Sequence, residues 1–328
     1  MPKILVTGGC GFIGSHLVEE LLKDKKNKIV ILDSLVSGRK LNIDIKNKNV
    51  KFIKCDISKS NRKFNNYFRK IDKVFHLAAL ADIVPSINNP KLYFSTNVQG
   101  TLNVLNASKI NSVKKIVYAA SASCYGIPKK FPTKENSEIS LQYPYALTKK
   151  MGEDLLIHWG KVYNLNVTSL RLFNVFGTRS RTSGAYGAVF GVFLAQKINN
   201  KPLTIVGNGQ QTRDFIYVTD VAKAFIKAGN LKKSGNVINI GSGKETTVNF
   251  IAKQISKKKI FIPKRPGEPD RSKANINRAI KILNWKPKIK IKDGIKFMLN
   301  NLDYWKNAPV WNKKSISIAT KVWFKFLK

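Results

Sequence analysis

At 328 residues and 43% hydrophobic, the chain can bury the core of one large domain or two intimate ones, and its composition excludes a disordered or collagen-like protein. A formal charge of +40 invites a nucleic-acid reading, but only ten of the 59 cations are arginine, and lysine is spread along the whole sequence. Specific nucleic-acid binders concentrate their basic residues on one element or interleave them with stacking aromatics, so we expect no specific nucleic-acid partner, only a field that draws in anionic substrates.

The chain opens on the apolar residues Ile4 to Val6, a short buried strand, and passes through glycines into an amphipathic helix over Ser15 to Leu22. Gly8, Gly11 and Gly14 between them are spaced G-x-x-G-x-x-G. A tight strand-to-helix turn without Cβ atoms lets backbone N–H groups and the positive end of a helix dipole face a pyrophosphate. The next strand, from Lys28, ends in Asp33, about twenty residues beyond the glycines, where a carboxylate accepts the ribose hydroxyls of a dinucleotide and repels a 2′-phosphate. The pattern predicts an NAD site, with Arg39 nearby read as a loop charge.

Further strands are expected at 50–54, 73–77, 115–119 and 167–171, and helices at 91–109 and 145–162. Their alternation predicts an α/β fold, a doubly wound parallel sheet with helices on both faces, over residues 1–170. The later chain is less regular. It carries turns at Gly207-Asn208-Gly209 and Gly241-Ser242-Gly243, a helix at 247–257 and a proline-rich segment near 263–269. We expect 171–328 to form mostly a smaller substrate-binding lobe, interleaved with the sheet, and the aromatic, basic tail from Tyr304 to pack against the body. Neither the three cysteines (Cys10, Cys55, Cys124) nor the three histidines (His16, His76, His158) have disulfide or metal-ligand spacing, so no metal is expected. The apolar runs are too short to span a bilayer and the first residues already read as a strand, so the expectation is a cytoplasmic enzyme with no integral membrane association.

Tyr145 and Lys149 stand four residues apart on one helical face, after Pro144 at a helix start. A phenol ionises near 10, and a neighbouring ammonium together with a nicotinamide cation would favour its phenolate. Upstream, the strand ending at Ala120 runs into Ser121-Ala122-Ser123, so the Ser121 hydroxyl is expected at the carboxyl edge of the sheet, where such folds bind ligands.

With these residues in place, the chain resembles the extended short-chain dehydrogenase/reductases, and among them the NAD-dependent nucleotide-sugar epimerase/dehydratase family, the UDP-glucose 4-epimerase branch in particular. The likeness runs over nearly the whole length. The segment with Gly8, Gly11, Phe12, Ile13 and Gly14 resembles the family's cofactor turn, and Asp56-Ile57 its adenine-contacting pair. His76-Leu77-Ala78-Ala79 resembles the strand end beside the cofactor, and Asn97 the asparagine of the following helix. Ser121, Tyr145 and Lys149 fall where the family keeps its catalytic hydroxyl, tyrosine and lysine, with Ser123 beside the sugar. Asn174, in RLFNVFG, resembles the asparagine that touches the sugar nucleotide; Arg213 resembles the arginine of the R-D-[YF] phosphate motif. Arg265 and Arg271, in RPGEPDR, resemble its final pyrophosphate contacts, and Ser272 falls where sugar-selective relatives place a bulky tyrosine.

What the resemblance implies is an enzyme that uses NAD on a nucleotide sugar and pairs as a homodimer through helices 91–109 and 145–162. The 4,6-dehydratases of this family carry an Asp-Glu pair after the catalytic hydroxyl, because elimination needs a base and an acid. Here the positions are Ala122 and Ser123, which resembles the epimerases and implies 4-epimerisation of a UDP-hexose or UDP-N-acetylhexosamine through a transient 4-keto sugar. Dehydratases and other epimerases or reductases of the family stay open as alternatives, as does a non-catalytic NAD-sensing or RNA-binding protein.

Overall fold

The computed structural model describes residues 1–180 and 188–327. In its first part the chain forms β1 (Lys3–Thr7), α1 (Phe12–Leu22), β2 (Lys28–Asp33), β3 (Val50–Lys54), α2 (Arg62–Asn66), β4 (Lys73–His76), α3 (Ile83–Asn88), α4 (Pro90–Tyr93), α5 (Gly100–Ile110) and β5 (Lys115–Ser121). The second part adds α6 (Pro144–Val162), β6 (Val167–Leu172), β7 (Asn174–Phe176), α7 (Val189–Ile198), β8 (Leu203–Val206), β9 (Thr212–Arg213), β10 (Phe215–Tyr217), α8 (Val218–Gly229) and β11 (Asn236–Ile240). It ends with β12 (Thr246–Thr247), α9 (Val248–Ile255), β13 (Lys259–Ile262), α10 (Asn277–Leu283), α11 (Ile291–Leu299) and α12 (Lys313–Phe326).

Seven strands make one sheet in the order β11-β6-β5-β4-β1-β2-β3, parallel throughout, as the alternation predicted. Its central strands are covered on both faces, which is why KIVILD of β2 reads as an unbroken apolar run rather than an alternation. One side is filled by α1 and α8, where Val221, Ala222, Phe225 and Ala228 recur at helical spacing and face the core with Leu17 and Leu21. The other side is filled from α5 and α6, with Val104, Leu105 and Leu156 against Leu5, Val74 and Ile116. The chain order reverses between β1 and β4, and that reversal opens a crevice at the carboxyl ends of the strands.

Two details depart from the sequence reading. The helix expected at 91–109 is α4 and α5 joined by a π-helical stretch, Phe94–Gln99, which carries Asn97. The seventh strand, β11, comes from the later, irregular part of the chain; it pairs in register with β6, from Asn236 opposite Thr168 to Ile240 opposite Leu172. A second core, of Phe190, Phe193, Leu203, Ile205, Tyr217, Ile251, Met298 and Trp305, gathers α7, α9, α11 and the β8–β13 pair at the carboxyl end of the sheet. The aromatic tail packs on the body as expected. Its helix α12 starts on a capping box between Asn312 and Ser315 and buries Ile316, Thr320 and Trp323.

Candidate active site

The glycine turn lies where β1 meets the crevice. Gly8 has φ +72°, and a Cβ there would come within 2.7 Å of the Ala78 nitrogen; a Cβ on Gly14 would meet the Gly8 carbonyl oxygen at 2.1 Å. Only glycine lets the turn close this tightly against Leu77 and Ala78. No side chain caps α1, so the N–H groups of its first turn, Phe12, Ile13 and Gly14, are left for a ligand. At the end of β2 the buried Asp33 carboxylate accepts from the Cys10 N–H at 2.9 Å and the Leu35 N–H at 2.8 Å. Burial raises its pKa, and these two bonds oppose the rise. Two backbone bonds do not exhaust a carboxylate, so Asp33 can still accept ribose hydroxyls. Arg39 spends its charge locally, 5.4 Å over the Tyr304 ring. An uncapped helix end, a Cβ-free cradle and an acidic strand end make a set that fits NAD.

Of the remaining predicted cofactor residues, Asp56 is exposed and accepts from the Ser58 N–H and hydroxyl, while Ile57 is buried. Asn97 is fully engaged inside the protein. Its Oδ1 accepts from Leu80 N–H at 2.8 Å, and its Nδ2 donates to the Leu80 carbonyl and the Thr148 hydroxyl. It ties the loop after β4 to α6, next to Lys149. Behind the loop, Thr7 Oγ1 accepts the N–H groups of Leu77 and Ala78, so its proton goes to His76 Nδ1, 2.7 Å away. His76 Nε2–H then donates to Thr101 Oγ1, whose proton goes to the Asn97 carbonyl. Burial, with the Lys149 charge behind it, pushes this imidazole down to about 3, so it is a neutral strut.

Tyr145 lies in the first turn of α6, which Pro144 opens, facing the end of β5. Burial raises its phenol, and a hydrogen bond with the Ser121 hydroxyl works against the rise. Ser121 Oγ accepts from both the N–H and the hydroxyl of Ser123, at 3.2 and 2.8 Å, which turns its own proton toward Tyr145. Ser123 is thus a support behind Ser121. The Lys149 ammonium, one turn along α6 from Tyr145, lies 4.2 Å over the Tyr118 ring. Burial lowers Lys149 to about 7, with the Glu153 charge one turn along opposing it.

Beyond Ser121, Tyr145 and Lys149 lies a cavity of about 550 Å³, lined among others by Val206, Gln211, Arg213, Lys264, Glu268 and Arg271. Arg213 donates to the carbonyls of Thr212 and Pro269. Arg265 stands behind Glu268 and meets it at 2.8 Å, and Glu268 also approaches Arg213 at 3.9 Å. Arg271 forms a two-pronged pair with Glu245, both contacts at 2.9 Å, and that pairing, led by its hydrogen bond, holds Glu245 down to about 2. Each arginine singled out in the sequence therefore meets a carboxylate. Asn174 is exposed at the start of β7; Ser272 is half-buried beside Arg271 and does not line the cavity.

Sequence reasoning missed Tyr143, stacked on Tyr145 at 6.3 Å and raised by burial, with the charges of Tyr145, Glu268 and Arg213 also acting on it. It links Tyr145 to the arginine cavity, and only its place two residues before Tyr145 hinted at this. Glu268 and Glu245 were missed too, because their arginine partners are set by loop packing.

The model of the NAD dependent epimerase/dehydratase family matches residues 4–241. The chain belongs to that family. It is 33% identical over 302 residues to the UDP-glucose 4-epimerase of Mycolicibacterium smegmatis, an alignment spanning 89% of this chain and 96% of that one. Among solved structures it is similar to the UDP-N-acetylglucosamine 4-epimerase of Methanobrevibacter ruminantium in complex with UDP-N-acetylmuramic acid, with TM-score 0.85, 33% identity and coverage of 92% and 99%. It is also similar to the UDP-glucuronic acid 4-epimerase of Bacillus cereus in complex with UDP-glucuronic acid and NAD, with TM-score 0.84, 32% identity and coverage of 93% and 99%. The protein is an NAD-dependent enzyme of the nucleotide-sugar epimerase/dehydratase class. Among the described residues no helix is long and apolar enough to cross a membrane.

Proposed function

We propose that this protein is a 4-epimerase of UDP-hexoses or UDP-N-acetylhexosamines. The observation that carries the reading is the make-up of the β5 edge. The Ser121 hydroxyl acts on the Tyr145 phenol and lowers it, and the two residues after it are Ala122 and Ser123, the latter donating its hydroxyl to Ser121. No carboxylate stands there to serve the elimination that a 4,6-dehydratase performs. Inversion at C4 needs a proton acceptor, a hydroxyl to orient the reacting oxygen, and a grip on the diphosphate that lets the sugar turn over; Tyr145, Ser121 and the arginine cavity supply these.

In this reading Tyr145 takes the C4 hydroxyl proton as its phenolate and returns it after the sugar has turned, while Ser121 holds the same oxygen. Lys149, protonated, stabilises the phenolate by its charge. Arg213 and Arg271 receive the diphosphate, with Arg265 behind them, and each exchanges a carboxylate for a phosphate oxygen. NAD, held by the glycine turn and Asp33, supplies hydride acceptance from C4 and its return to the other face. Ser272, small where sugar-selective relatives place a bulky tyrosine, favours room for an N-acetyl group at C2. The same reading makes the protein a cytoplasmic homodimer joined through α5 and α6, where Ile110 and Val162 are exposed.

The experiment is incubation of the purified enzyme with UDP-, dTDP-, GDP- and CDP-linked sugars and NMR of the products. The expected outcome is a mixture of C4 epimers from UDP-sugars with no net NADH. A deoxy-keto sugar, a decarboxylated sugar or stoichiometric NADH would overturn the assignment.

A further inference from the structure

The loop that carries Arg265 and Glu268 has no regular secondary structure, and it turns at Gly267 with φ +70°. Its far half is pinned to the body: the Pro269 carbonyl accepts from Arg213, and the Asp270 carbonyl accepts from the Thr212 N–H. Its near half rests on the C-terminal helix. Trp323 Nε1 donates to the Pro266 carbonyl at 2.6 Å, and the Arg265 guanidinium lies 5.0 Å over the Trp323 ring. The indole is buried, and Leu327, four residues on, stands opposite Gly267, where a Cβ would meet its side chain at 3.7 Å.

We infer that Trp323 is a positioning residue for the diphosphate end of the nucleotide sugar: it sets Arg265, and through it Glu268, at the edge of the arginine cavity. The hydrogen bond fixes the backbone just after Arg265, and the ring fixes the plane of its guanidinium. A guanidinium held over an indole keeps its N–H donors directed outward from the ring, and Arg265 already presents two of them to Glu268. Because Trp323 sits on α12, nucleotide-sugar affinity becomes a property of how α12 docks, although no residue of that helix lines the cavity. The inference rests on Arg265 acting toward the diphosphate, as proposed above.

The test is a double-mutant cycle on the full chain, read by calorimetric titration with UDP, with KM and kcat for the UDP-sugar and NAD affinity measured in parallel. Trp323→Leu is expected to weaken UDP binding about tenfold, the scale of a lost cation–π contact and hydrogen bond together, and to raise KM while kcat holds. Trp323→Phe keeps a ring beneath Arg265 and is expected to recover part of the loss. Combined with Arg265→Met, the Trp323→Leu change is expected to add nothing further, since both remove one unit. Additive losses in the double variant overturn the inference alone, as does a fall in NAD affinity that matches the fall for UDP. An Arg265→Met variant that binds UDP as the parent does overturns the role of Arg265 and this inference with it.

Discussion

Glu153 receives Arg171 in a two-pronged pair, Nη2 at 2.7 Å and Nε at 3.0 Å, entirely inside the protein and one helical turn beyond Lys149. Ser169 donates to the same carboxylate at 2.8 Å, while the other side of the guanidinium donates to the Tyr125 hydroxyl and the Glu135 carbonyl. The pair clamps α6, the helix with Tyr145 and Lys149, onto β6. With four guanidinium bonds made and both carboxylate oxygens accepting, the cost of burying two charges is offset; with one partner gone it is not. Arg171→Met is therefore expected to lower unfolding stability by about 3–5 kcal/mol, and Arg171→Met with Glu153→Leu to recover much of that loss. Urea denaturation of the two variants checks this; equal losses would show that packing, not the uncompensated carboxylate, sets the cost.

His76 predicts a pH dependence with a definite sign. The buried ring takes a proton only near pH 3 in the folded state, whereas in the unfolded chain it does so near 6.5. Between those values the unfolded state binds the extra proton, so stability falls as the pH falls through 6.5. Going down to pH 5.0, His76 alone is expected to cost about 2 kcal/mol. A His76→Gln variant should lose less stability than the parent between pH 7.5 and 5.0 in urea titrations. Identical slopes would mean that the imidazole is not held neutral.

Tyr145→Phe is expected to keep the fold and NAD binding and to lose on the order of 10²–10⁴ in turnover, the range for a positioned acid–base group. Ser121→Ala should lose less, because it removes the partner that orients the phenol and not the proton carrier. Progress curves for C4 inversion separate the two. Near-parental turnover in Tyr145→Phe would remove Tyr145 from the proton step.

The cofactor half of the site was legible because its constraints are local. Gly8, Gly11, Gly14 and Asp33 each answer a backbone requirement within one strand–turn–helix–strand unit, and Tyr145 and Lys149 share a helix. What stayed hidden depends on contacts across long stretches of chain. Glu268 reaches Arg213 fifty-five residues back, and Trp323 supports Arg265 from a helix whose composition announced only that it was aromatic and basic.

We expect Asp33 to set the choice of dinucleotide, and its surroundings hold it rigidly. Its two oxygens hold the N–H groups of Cys10 and Leu35, and Gly38 packs so close that a Cβ there would lie 2.8 Å from Oδ1. The carboxylate cannot swing aside, so an incoming 2′-phosphate meets a fixed negative charge at short range. Asp33→Asn removes that charge at nearly equal size, but its NH₂ cannot accept, so one of the two N–H groups loses its partner. The expected result is a loss of NAD affinity of about tenfold, the scale of one unsatisfied buried donor, with NADP affinity unchanged or improved. Calorimetry with both dinucleotides on the parent and the variant measures the ratio. A parent that binds NAD and NADP equally, or a variant that loses both in proportion, would show that selectivity lies elsewhere in the turn.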